Sequence, residues 1–164
     1  MSKPLTPAQS HAESVEASIR NLPSEAGVLI APDGSEIARR SGGTNTVTFP
    51  EDELRRGQGA TYTHNHPGGT GPSVEDIELA AEFGFAELRV VTSDRLYRVW
   101  NLGAVTPTAV RPEYAPAFQR SIAEVTQDVQ RNVVDRKDFR SEVLHRTWRR
   151  VAARLRFHYE RIPP

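Results

Sequence analysis

Between residues 25 and 100 the chain alternates short β-forming stretches with turns and brief helical patterns, so any sheet it makes is built from short strands. The first stretch, Glu25 to Ala31, is an apolar run stopped by Pro32-Asp33-Gly34-Ser35, where proline presets φ and glycine accepts φ > 0. Glu36 to Arg39 follows as its partner, which predicts a hairpin. Gly42-Gly43 ends that strand, Thr46 to Phe49 has the β-branched alternation of a third, and Ala60 to Thr63 reads as a fourth. Leu88 to Thr92 and Leu96 to Trp100, joined at Ser93-Asp94-Arg95, complete the set. Helical signals lie around and between them. Residues 7 to 20 place Val15 and Ile19 four apart behind Thr6 or Ser10 as N-cap. Pro50 suits the first position of a helix that continues through Glu51, Asp52 and Glu53, and Ser73 caps another with Ile77, Ala80, Ala81 and Gly84 at helical spacing. The predicted fold class is mixed α/β, a mixed sheet of about five to six strands flanked by helices.

After residue 105 the pattern changes. Pro107, Pro112 and Pro116 mark residues 106–116 as a linker between a domain over 1–105, N-terminal helix included, and a helical extension over 117–164. There Phe118, Ile122, Val125, Val129 and Val133, then Phe139, Val143, Leu144, Trp148, Val151, Ala152 and Leu155, are spaced three or four apart within each group. They describe two amphipathic helices or one long bent helix, interrupted at Asp135-Arg136-Lys137-Asp138. Formal net charge is zero, but Arg140 to Arg161 holds seven arginines against Glu142 and Glu160. Such a helix either packs its apolar stripe on the domain or on a second copy of the chain, giving a homo-oligomer, or tracks a nucleic-acid backbone; packing is the favoured reading. No stretch approaches the length of a membrane span and the N-terminus leads into polar sequence, so the expectation is a cytoplasmic protein without membrane contact.

The chain has no cysteine, so any metal must be held by His, Asp or Glu. Two of the five histidines form His64-Asn65-His66 at the end of a predicted strand, where residues i and i+2 project to one side and their imidazoles converge. Asp76, in the first turn of the helix capped by Ser73, supplies a third ligand once the loop Pro67-Gly68-Gly69-Thr70-Gly71-Pro72 turns the chain back. Two imidazoles and one carboxylate leave a fourth position open, the pattern of a catalytic zinc site rather than a structural one. A base must stand beside it without being a ligand. Glu25, at the start of the first strand, is the candidate, with Glu36 as the alternative. Ser73 has two compatible roles, N-cap and hydrogen-bond donor to an oxyanion. The glycine-rich loop is followed by no Lys-Ser/Thr pair and matches neither the P-loop nor the dinucleotide fingerprint.

At Glu25, His64, His66-Pro67, Ser73 and Asp76 the sequence resembles the JAB/MPN metallopeptidases, whose JAMM motif is an upstream Glu, His-x-His-Pro, a spacer, then Ser-x-x-Asp. His64-Asn65-His66-Pro67-Gly68 looks most like the RadC branch and related bacterial and phage JAB domains. The spacer Pro67 to Pro72 has six residues where the commonest family pattern has seven. The resemblance spans roughly Ser24 to Trp100. It implies a curved sheet, a zinc ion on His64, His66 and Asp76, Glu25 as general base, and hydrolysis of a peptide or isopeptide bond in a protein or peptide substrate. In several branches the scissile bond follows a ubiquitin-like tail. The alternative reading is a RadC-like module, catalytically idle, that associates with DNA through its arginine-rich helix. A weaker third reading gives the same metal site a phosphoester substrate.

Overall fold

A computed structural model describes residues 2–163. The order is α1 (Pro7–Ile19), β1 (Ala26–Ile30), β2 (Glu36–Ser41), α2 (Glu51–Arg55), β3 (Thr61–Asn65), α3 (Val74–Glu82), β4 (Glu87–Val91), β5 (Leu96–Trp100), α4 (Val110–Gln130), α5 (Phe139–Leu155) and β6 (His158–Ile162). The six strands form one open mixed sheet in the order β2-β1-β3-β4-β5-β6, and the expected mixed α/β class is what the chain adopts. β3 and β4 are the parallel pair; every other neighbour is antiparallel. Parallel neighbours need a crossover, and α3 supplies it.

The central strands are buried on both faces, and their alternation sorts the side chains. Leu29, Tyr62, Leu88, Val90 and Val99 face the larger core with Ile77 and Ala80 of α3 and Trp148, Val151 and Ala152 of α5. Ala26, Val28, Ile30 and Val91 face α1 through Ala8, Ala12, Val15 and Ile19. The α1 face also carries a buried ionic cluster: Arg89 grips Glu16 in a bidentate pair at 2.5 and 3.1 Å and reaches Glu87 at 2.9 Å. Thr63 donates a further bond to Glu16 at 2.9 Å. Of the two candidate N-caps, Thr6 holds the position, and it shares a capping box with Gln9.

Four expectations are corrected. Thr46 to Phe49 is not a strand. Gly42 brings the chain so close to the Thr46 carbonyl that a Cβ there would lie 1.7 Å from it, and after Gly43, the last residue whose backbone is bonded to that of Glu25, this tight loop leaves residues 44–48 without strand structure while Phe49 enters the core. Pro50 stands at the N-cap of α2, one residue before the helix, rather than at its first position. The proposed linker 106–116 is a 3-10 turn over Pro107–Ala109 running into α4, whose first turns contain Pro112 and Pro116. Pro112 is harmless because first-turn amides have no helical acceptor, whereas Pro116 lies inside the helix. The extension expected to be helical to its end instead turns at Arg156, which adopts a left-handed φ of 62°, and finishes as β6 on the edge of the sheet beside β5. Its helical part is two helices, α4 and α5, rather than one bent one.

Candidate metal centre

Sheet alternation builds the first half of the site. His64 lies on β3 with Tyr62, on the face toward α3, and is 1% exposed. The amide of His66 donates to the Val91 carbonyl at 3.0 Å, continuing the β3–β4 ladder one residue past the strand, so His66 keeps the i+2 phase of His64. Tyr62 stacks flat on the His64 ring, with centroids 4.7 Å apart. The strand opposite makes room for that tyrosine with Gly27, where a Cβ would sit 3.0 Å from the Tyr62 ring.

The loop and α3 build the second half. Ser73 caps α3 by accepting the Asp76 amide at 3.1 Å, and Asp76 Oδ2 accepts the Ser73 amide at 2.8 Å. This reciprocal box orients the Asp76 carboxylate toward the histidines. Asp76 Oδ1 lies 3.3 Å from His64 Nε2, Asp76 Oδ2 lies 3.4 Å from His66 Nε2, and the two Nε2 atoms are 3.0 Å apart. Gly71 allows the loop to rest on the Tyr97 ring, which a Cβ would meet at 3.0 Å. Trp148 of α5 donates its indole N–H to the Pro72 carbonyl at 2.8 Å, fastening the end of the loop immediately before Ser73.

His64, His66 and Asp76 could therefore hold a metal ion. One ligand atom from each of the three side chains lies within 4.8 Å of the other two, close enough for a single ion with ligand bonds of ~2.0–2.1 Å to be shared after small side-chain adjustments. His66 Nδ1 lies 3.0 Å from the carbonyls of Thr70 and Gly71, so in the neutral ring its hydrogen belongs there and Nε2 keeps the lone pair a metal needs. His64 Nδ1 is buried with no hydrogen-bond partner. The crowding of nitrogen lone pairs and a carboxylate calls for a positive charge among them. Burial acts most strongly on Asp76 and would raise its pKa, but His64 and His66 outweigh it and hold the carboxyl well below the usual range. Burial likewise opposes protonation of His66, yet Asp76 and Glu25 raise its pKa overall.

Glu25 stands beside this group and outside it, with Oε1 3.9 Å from His66 Nε2. Burial raises its pKa, partly offset by the two histidines. Its backbone is tied to the tight loop, the Glu25 amide donating to Gly43 at 2.9 Å and the Gly42 amide to the Glu25 carbonyl at 2.8 Å. Glu36 is not brought here. It binds His11 at 2.9 Å and Arg39 at 3.1 Å on the exposed strand β2.

The motif reading overlooked three residues. Asn65 is wholly buried under α1, where Oδ1 accepts the Ala26 amide at 2.7 Å and Nδ2 donates to Ser24 at 3.0 Å and Leu22 at 3.4 Å. It thereby pins the backbone on both sides of Glu25. A polar residue in an otherwise buried strand was the available signal. Tyr62 could have been suspected from its i−2 spacing to His64. Arg140 had no local signal, because α5 brings it in from far along the chain. A cleft of ≈ 640 Å³ opens over the centre, lined among others by Glu25, Thr46, Tyr62, His66, Ser73 and Arg140.

No family model, no curated protein and no solved structure matches this chain. The reading of the site therefore rests on its own geometry. No helix among the described residues is long and apolar enough to cross a membrane.

Proposed function

We propose that the chain is a zinc-dependent peptidase of the JAB/MPN kind, hydrolysing a peptide or isopeptide bond. One observation carries this: two imidazoles and a carboxylate gathered so that a ligand atom of each lies within 4.8 Å of the others, with a separate buried carboxylate, Glu25, 3.9 Å from His66 Nε2 at the mouth of a cleft. Zinc is the favoured ion because two imidazoles and one carboxylate with a fourth position open are its usual catalytic donor set. When bound, zinc supplies Lewis acidity, which makes water a competent nucleophile near neutral pH and polarises the carbonyl it attacks.

The rest is done by the chain. Glu25, whose raised pKa makes it a stronger base than a solvated carboxylate, takes the proton from the attacking water. It returns that proton to the nitrogen as the C–N bond breaks. A new carboxylate and a free amine are the products. Ser73 Oγ accepts the Asp76 amide and lines the cleft, where its hydroxyl would donate to the carbonyl oxygen as that oxygen gains charge. Asn65 keeps Glu25 in place by anchoring its flanking backbone, and Thr70 and Gly71 hold the His66 ring.

Nucleic-acid binding by the arginine-rich helix has less support. Arg146 is paired with Asp128 and Glu142, Arg150 with Glu124, Arg154 with Glu113 and Arg161 with Glu142, so most of that charge is neutralised within the chain. The apolar stripe of α5 is covered by the chain's own sheet. The deciding experiment measures zinc content and cleavage together. The wild type should hold about one zinc per chain, and His66→Ala and Asp76→Ala should hold none. Cleavage of a ubiquitin-like fusion or peptide panel should require zinc and be lost in Glu25→Gln with zinc retained. Equal metal in all forms would refute the site.

A further inference from the structure

Arg140 is the one arginine or lysine among the described residues that line the cleft over His66, Asp76 and Glu25. It comes from the first turn of α5, outside the part of the chain that carries the motif. Three other arginines of the helix are committed elsewhere: Arg146, Arg150 and Arg154 are each held by a carboxylate of α4. Arg140 is exposed and, among the described residues, lies in no ion pair.

The position works against the helix. A cation in the first turn meets the positive end of the helix dipole, so Arg140 does not serve α5. The same arrangement adds the helix end to the guanidinium on the wall of the cleft. The location is also held in place, because Trp148, eight residues further along α5, is bonded to the Pro72 carbonyl at the end of the metal-binding loop. At 1.5 Å per residue the two lie about 12 Å apart along the axis. Any substrate chain passing over the histidines and extending toward α5 meets an unpaired guanidinium in a cleft whose charged walls are otherwise acidic, through Glu25, Glu75 and Asp76, apart from His66.

We propose that Arg140 selects the substrate of this cleft by binding a carboxylate of the peptide. The planar guanidinium donates two parallel hydrogen bonds to a carboxylate, a fork that a lysine cannot reproduce. Either an Asp or Glu side chain or a free C-terminus can supply that group. This rests on the cleft being a peptide site, as proposed above, but it is read by binding rather than by cleavage.

The test incubates zinc-loaded Glu25→Gln protein, which cannot turn over, with a randomised peptide library in free-acid and C-terminally amidated forms, and sequences the retained peptides by mass spectrometry. The expected result is about tenfold enrichment of carboxylate-bearing peptides, the size of one charge-assisted contact. Persistence with amidated peptides identifies the side chain as the source, and its loss on amidation identifies the C-terminus. Enrichment should vanish when Arg140→Ala is added, weaken with Arg140→Lys, and turn toward basic peptides with Arg140→Glu. No preference for carboxylates, or a preference unchanged by Arg140→Ala, overturns the proposal. The peptidase reading fails separately, by absence of zinc-dependent cleavage in the protein that retains Glu25.

Discussion

Asn65 stands between the two imidazoles in sequence and on the other face of the sheet in space. A buried amide costs free energy unless its donors and acceptor are used, and both donors and the oxygen are engaged by the backbone from Leu22 to Ala26. Asn65→Leu keeps the bulk and removes the bonds. It is expected to cost about 1–3 kcal/mol in a urea unfolding curve, and to slow turnover on the same substrate while the purified protein retains its zinc. Arg89 is the matching case in the ionic cluster, 2% exposed between Glu16 and Glu87. Arg89→Met leaves the buried Glu16 carboxylate without its cation, Glu87 keeping Arg98, and should destabilise the fold by about 3–5 kcal/mol, read by the same denaturation. The role of Arg89 was not visible along the chain, since an arginine at position 89 within Leu88 to Thr92 reads as one more alternating strand residue.

At the scale of elements, α5 and β6 buttress the loop Pro67 to Pro72. Trp148 holds Pro72, Tyr97 lies under Gly71, Tyr159 of β6 stacks on Tyr97, and His145 of α5 bonds the Tyr159 hydroxyl at 3.0 Å. Burial first, then the nearby Arg161, Arg149 and Arg146, lower the pKa of His145 from 6.5 to about 4, against an opposing pull from Glu142. The unfolded chain therefore binds this proton between pH 6.5 and 4 while the folded chain does not, and stability must fall as pH drops through that window. His145→Gln should flatten this part of the stability-pH profile measured by denaturant melts from pH 7 to 4. A profile unchanged by the substitution would remove His145 as the cause. β6 went unforeseen because His158 to Ile162 mixes charged and apolar residues; its partner β5 is what makes it a strand.

Over the whole molecule, the extension and the motif-bearing region share one core. Trp148, Val151 and Ala152 of α5 share a core with Leu29, Ile77, Leu88 and Tyr62, the last of which stacks on His64. A chain ended at residue 105 would expose that surface and lose the bond to Pro72. It is expected to show no cooperative unfolding transition and to bind zinc at least tenfold more weakly than the full chain in a chelator competition, by analogy with loss of groups that orient metal ligands. A stable, zinc-binding 1–105 fragment would contradict this. What could be read along the chain was whatever depends on near neighbours: the period-2 placement of His64 and His66, the capping box that couples Ser73 to Asp76, the turn after Ile30, and the apolar stripes of α4 and α5. Those follow from backbone geometry over a few residues. What needed three dimensions was the pairing of distant segments: the approach of Glu25 rather than Glu36, the anchoring by Asn65, the helical conformation of a proline-marked stretch, and the arrival of Arg140 and Trp148 at the loop. These contacts join residues dozens of positions apart, and only the closure of one shared core, which no local pattern encodes, brings them together.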